Sequence, residues 1–182
     1  MLAIMYPTIE TYTLLGAAVY TCQKAEFALA GIASHMSHLP EAQNDKRFRN
    51  LTPDALLNSS MRSDNSFKAT FGQIYEIFGN RLLVSGLEFD QFVADRNRIV
   101  HHFWRETREI RGRIEIPDPH GYLLAFIGRA EQIVATLQGL LSHLQEAAAQ
   151  KSNRMSEFTI SEKDIQNRGV YEELVVRSRN KR

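Results

Sequence analysis

Cysteine is nearly absent. Cys22 is the only one among 182 residues, which excludes a disulfide framework and a thiolate zinc site. A single thiol fits a reducing cytosol, so a cytoplasmic location is expected. Long hydrophobic runs are missing too. The longest, "LLGAAVY" at 14–20, is far short of the roughly 20 residues that a bilayer crossing needs, so no membrane partner is expected. The first residues, "MLAIMYPTIETY", lack a basic region and a long apolar core, and a secretory signal is not expected there. Neither sign of charge dominates. Against 22 Lys and Arg stand 21 Asp and Glu, and the net charge of +1 gives no global electrostatic case for nucleic acid, although it can hide a local cluster. No Gly-rich phosphate loop and no Ser-His-Asp order is present.

Helical periodicity dominates what is there, and alternating β-branched runs are scarce. A first helix is expected from near Pro7 or Thr8 to about residue 38, with an apolar stripe of Leu15, Ala18, Val19, Cys22, Leu29, Ala33 and Met36. "PEAQNDKRFRN" at 40–50 reads as a loop, and "TPD" at 52–54 opens a short helix over "ALLNSS". "SDNS" at 63–66 caps a helix through "FKATFGQIYEIF", which Gly79 and Asn80 can end. "SGLE" at 85–88 has the capping-box spacing of Ser85 and Glu88 and starts a long helix to about residue 110. "RGRIEIPD" is a connection with at most a short extended piece. Asp118 and Pro119 start a second long helix to about residue 150. The polar, basic stretch 151–182 holds at most one weak helix, from 161 to about 176, with Gly169 inside it. The expectation is an all-α bundle of four to five helices over 1–150 with a short C-terminal extension.

Two charges interrupt this pattern. On the 85–110 helix, Phe89, Phe92, Val93, Val100 and Phe103 form an apolar stripe with Trp104 at its edge, and Arg96 falls in its middle. Asn97 and His101, at i and i+4, share the flank. Arg98, His102 and Arg105 point away, as a solvated face would. An unpaired buried arginine is costly, so Arg96 needs a partner, and Glu26 lies near the centre of the first helix's own stripe. A Glu26–Arg96 pair is expected. It reads either as a staple fixing helix register or as a guanidinium held in place for a ligand. His101 adds a group that can move protons, and an arginine can hold a phosphate. An ideal helix sets residues i and i+5 about 140° apart, so the long arginine side chain would have to sweep around to share a pocket with His101. With an RNA 2′-hydroxyl as nucleophile, such a cluster could cleave RNA without a metal and leave a 2′,3′-cyclic phosphate.

Other signals are weaker. His35 and His38 suit the C-terminal dipole of the first helix better than a metal. His102 and Glu106 have ligand spacing, yet HExxH is absent and no third ligand is near; neither a metal nor a cofactor is expected. Phe67, Phe71, Ile74 and Phe78 read as core. Trp104 reads as core by default, with base stacking or a dimer seam as the alternative. "RSRNKR" at 177–182 reads as a solvated basic end, with weak attraction to RNA as the alternative.

"RNRIVH" at 96–101 resembles the R-x4–6-H motif of the HEPN superfamily (higher eukaryote and prokaryote nucleotide-binding domains). "GAAVYTCQKAEFAL" at 16–29, "SFKATFGQIYEIF" at 66–78 and "FDQFVADRNRIVHHFWRE" at 89–106 are similar to blocks of an uncharacterised bacterial HEPN-like family, and the resemblance spans roughly residues 10–150. It implies an HEPN-like helical bundle, commonly a homodimer with two R-N-xxx-H motifs facing each other, and often a metal-independent endoribonuclease acting as a toxin or in antiphage defence. By position, Arg96 and His101 match the catalytic pair and Asn97 the polar residue after the arginine. Glu26 stands where some members keep an acidic residue, and His102 and Trp104 are possible auxiliaries. HepT-type toxins carry a modified tyrosine two residues after the histidine. Phe103 stands here, so nucleotide modification at that position is not expected. The expected partners are RNA, a second copy of the chain and an antitoxin or regulatory protein. The competing expectation is a non-catalytic HEPN module that binds a partner protein or nucleotide.

Overall fold

A computed structural model describes residues 8–56, 71–79, 82 and 86–180. It is an all-α bundle, and among the described residues there is no strand, only an isolated bridge. In chain order the helices are α1 (Ile9–Met36), α2 (Pro40–Gln43), α3 (Phe71–Phe78), α4 (Gly86–Asn97), α5 (Phe103–Glu106), α6 (Pro119–Lys151) and α7 (Glu162–Arg179), with a π turn at Arg98–His102 between α4 and α5. The cap expected at 63–66, Phe67, residues 57–60, Asn80 and the Ser85 half of the capping box lie outside the described residues.

The two long helices start on side-chain caps. Thr8 accepts a hydrogen bond from the Thr11 amide and Asp118 from that of Gly121, each satisfying a donor the first helical turn leaves open. Residues 34–38 of α1 share a groove with 145–149 of α6, and Gly31 meets Leu141, so these two helices run in the same direction. Ala18, Cys22, Ala25, Leu29, Ile32 and Ala33 are buried on α1, and the small ones among them allow α6 to approach closely. Phe89 stacks on Tyr75 of α3 and Phe92 on Phe126 of α6, which carries α4 onto the same core.

Past Asn97 the chain departs from the expected course. The helical run reaches residue 106, short of 110, and is not uniform: it opens into the π turn, departs from helical φ at His102 (φ −127°, ψ −11°) and ends its last turn at Glu106. Arg111 and Gly112 then take positive φ, 53° and 78°, and fold Ile110 back on Arg113 in a two-residue turn. The core position expected for Val100 goes to Ile99, which stands seven residues after Phe92 and four before Phe103; Val100 is exposed.

Beyond α6, Ser161 and Asp164 form a capping box and α7 runs for 18 residues, Gly169 included. It packs antiparallel on α6. Arg168 donates to the Ser142 hydroxyl and carbonyl and to Glu146, and the buried Asn167 donates to Gln138. Gly139 permits this approach, since a Cβ there would sit 2.2 Å from the Asn167 carbonyl oxygen. Arg177 lies within α7 and pairs with Glu173.

Candidate functional site

Arg96 is the hub. Its Nε–H and Nη2–H both donate to Oε1 of Glu26, at 3.0 and 2.6 Å, across 70 residues of sequence. Its Nη1–H donates to Oδ1 of Asn97 at 3.1 Å and faces Nε2 of His101 at 3.4 Å. Three side chains, from α1, α4 and the π turn, thus meet at one guanidinium. The pair is neither buried nor free, with the Arg96 side chain 26% and the Glu26 side chain 36% exposed. Asn97 and His101 are both exposed.

The π turn makes this meeting possible. A turn closed by i→i+5 hydrogen bonds advances less per residue than an α turn, so His101 swings toward the face of Arg96 instead of pointing about 140° away. Arginine offers only donors, so this contact is a hydrogen bond in the tautomer whose proton sits on Nδ1. In that tautomer Nε2 presents its lone pair to the guanidinium.

Cys22, one turn before Glu26 on α1, contributes no nucleophile. Burial, opposed in part by Arg96 and reinforced by Glu26, pushes its thiol up to about 11. His102 is exposed, and its ring centroid lies 6.2 Å from that of His101, beside the cluster. Trp104 is not a core residue. It is 68% exposed, and the Arg108 guanidinium lies 4.2 Å over its ring, because the core position on this turn belongs to Phe103. Arg105, Arg111 and Arg113 are also exposed, with Arg105 beside Glu106 and Arg113 paired with Glu115.

Arg98 is partly exposed, as expected for that face, but it is engaged. Its Nε–H donates to Oε2 of Glu106 at 2.8 Å, and its guanidinium lies 5.8 Å over the Tyr122 ring. Asp95 is the other residue that sequence periodicity overlooked. It is 2% exposed and accepts from the Tyr122 hydroxyl at 2.8 Å and from Arg129 Nη2 at 3.0 Å. Burial and the Asp95 bond hold the Tyr122 phenol far above its ordinary range. The signal was present, since Asp95 stands three residues after Phe92 and four before Ile99, but Arg96 competed for the same stripe.

Asp95 lines a cleft of about 650 Å³ between α4, α6 and α7, floored by Phe92, Phe126, Ile133 and Leu174. None of Glu26, Arg96, Asn97 and His101 lines it; in their cluster Glu26 and Arg96 are half-buried and Asn97 and His101 exposed. Among the described residues no group of three or more His, Cys, Asp and Glu is placed to hold a metal ion, and no helix is long and apolar enough to cross a membrane. No family model, no curated protein and no solved structure matches this chain.

Proposed function

We propose that the chain is an HEPN-type endoribonuclease that works as a homodimer on RNA. The observation that carries this reading is the Arg96 guanidinium in contact with Glu26, Asn97 and His101 while still open to solvent. Arg96 binds the scissile phosphate and neutralises the charge that builds on its oxygens. Asn97 orients the guanidinium, and Glu26 holds it from behind. Nε2 of His101 takes the proton from the 2′-hydroxyl as O2′ attacks the adjacent phosphorus. The P–O2′ bond forms, the P–O5′ bond breaks, and the products are a 2′,3′-cyclic phosphate and a 5′-hydroxyl.

One imidazole cannot be base and acid in the same step. A second R-N-xxx-H motif facing the first supplies the acid that protonates the leaving O5′, and two half-exposed clusters brought together make the enclosed site that neither has alone. The resemblance to toxin and defence ribonucleases adds a regulatory partner, such as an antitoxin, to the binding candidates. His102 and Trp104 border the cluster as auxiliaries, the first as a second proton carrier and the second as a platform for a base.

Purified protein incubated with total RNA in EDTA tests the reading. Wild type should cleave, while His101→Ala and Arg96→Ala should lose on the order of 10²-fold or more in rate. Wild type that cleaves nothing, or His101→Ala that cleaves equally well, ends it. A second reading has its own support in the Glu26–Arg96 pair, which joins α1 to α4. In it the cluster is a staple in a non-catalytic module that binds a protein or nucleotide. The staple alone predicts that Arg96→Ala and Glu26→Ala each cost about 2 kcal/mol, between an exposed and a buried pair, with His101→Ala silent in every assay.

A further inference from the structure

Ion pairs on a helix ordinarily join residues three or four apart. Arg98 and Glu106 are eight apart, about 12 Å of rise in a straight α-helix. Yet Nε of Arg98 is 2.8 Å from Oε2 of Glu106, whose side chain is only 13% exposed. Arg98 is the first residue of the π turn, and Glu106 is the last of α5. The pair therefore straddles the whole irregular segment, including the backbone change at His102.

Both ends of this pair are anchored. The Arg98 guanidinium lies over the Tyr122 ring, and the Tyr122 hydroxyl is fixed by the buried carboxylate of Asp95 on α4. The Glu106 carbonyl accepts the Ile116 amide at 2.9 Å, tying the end of α5 to the approach to α6. The segment has two occupied flanks. One carries Arg98, Glu106 and Tyr122; the other carries Arg96, Asn97 and His101. A π turn gives up the regular i→i+4 ladder and persists only where its surroundings hold it.

We infer that Arg98 and Glu106 are positioning residues for His101, their ion pair holding the π turn that brings Nε2 of His101 to the Arg96 guanidinium. This rests on reading the Arg96–Asn97–His101 cluster as a working site, but the geometry can be checked without RNA. When the pair is broken, the segment relaxes toward a continuous α-helix and His101 turns away from Arg96.

The experiment records long-range ¹H–¹⁵N spectra of the histidine rings at pH 8 in wild type, Arg96→Ala, Glu106→Gln and the swap Arg98→Glu with Glu106→Arg. Glu106→Gln should move the His101 resonances to where Arg96→Ala leaves them, and the swap should return them toward wild type. Arg98→Met, which keeps the side-chain stem, provides the same comparison if Glu106→Gln does not fold. In the RNA assay, Glu106→Gln should lower kcat about 10- to 100-fold with little change in KM, because misplacement of a catalytic group costs rate more than binding. A purely structural role would lower the melting temperature and leave the His101 resonances in place, and that result overturns the inference. If the resonances move and recover but wild type cleaves no RNA, the nuclease reading fails and the positioning role stands. If wild type cleaves RNA while Glu106→Gln leaves both the resonances and kcat unchanged, the nuclease reading stands and the positioning role fails.

Discussion

Adjacent residues on α4 carry opposite charges and opposite tasks. Asp95 is buried at the wall of the cleft and engaged with Tyr122 and Arg129, whereas Arg96 sits at a half-open surface with Glu26 behind it. Their stability effects should differ accordingly. Asp95→Ala leaves the Tyr122 hydroxyl without its acceptor and should cost about 2–3 kcal/mol in urea unfolding, since stranding a partly buried polar group carries its full desolvation penalty. A loss under about 1 kcal/mol would mean that water replaces the carboxylate without cost. Trp104 is the opposite case. An exposed indole stacked by Arg108 contributes little to the fold but offers a π face beside the cluster. Under the ribonuclease reading, Trp104→Ala should raise KM roughly 5- to 100-fold with kcat nearly unchanged, the size expected for one stacked base. Equal effects on kcat and KM would remove the indole from a binding role.

At the scale of the element, two glycines separate a contact that can yield from one that cannot. A Cβ on Gly31 of α1 would meet the methyl ends of Leu141 at 2.9 and 3.1 Å, atoms that a rotamer change can move. A Cβ on Gly139 of α6 would meet the Asn167 backbone at 2.2 Å, and only displacement of α7 relieves that. Gly139→Ala should therefore cost about 2–3 kcal/mol through overpacking and expose α7 to proteolysis, while Gly31→Ala should fall within about 1 kcal/mol of wild type because helix propensity offsets the strain. Thermal melts with limited trypsin digestion measure both, and equal melting temperatures would contradict the close α6–α7 contact. Much at this scale was legible in sequence. Thr8 and Asp118 announce α1 and α6, because an N-cap needs only one side chain and an amide a few residues later. The break after Asn97 was not legible, because a uniform 100° per residue is what a periodicity reading assumes and what a π turn violates.

Among the described residues, the outer side of α1 is a face that the bundle does not use. Ile9, Tyr20 and Phe27 lie along a single line on the outer side of α1 with Gly16 between them, and all three side chains are exposed. Exposed aromatic and aliphatic side chains on one line, with Lys24 over the Tyr20 ring, are a candidate interface between copies. If the chain dimerises there, sedimentation should show a concentration-dependent dimer that Tyr20→Glu with Phe27→Glu converts to monomer, and RNA cleavage should fall in parallel because each site lacks its second imidazole. A dimer indifferent to these substitutions would put the interface elsewhere, and a monomer that cleaves RNA would remove the need for one.

By itself the sequence determined the all-α class, the inward stripe of α1 and the partnership of Glu26 with Arg96. These follow from local rules: a cap acts within one turn, and two opposite charges that interrupt apolar stripes have few places to go except to each other. Only the tertiary structure decided that Asp95 is the buried acid, that Arg98 reaches Glu106, that Trp104 faces outward and that His101 turns toward Arg96. Asp95 depends on partners supplied from far along the chain, Tyr122 and Arg129, and His101 and Arg98 depend on a turn whose extra width no repeat in the sequence encodes. Packing against α6 set those positions, because a charged residue next to a core goes wherever its partners are.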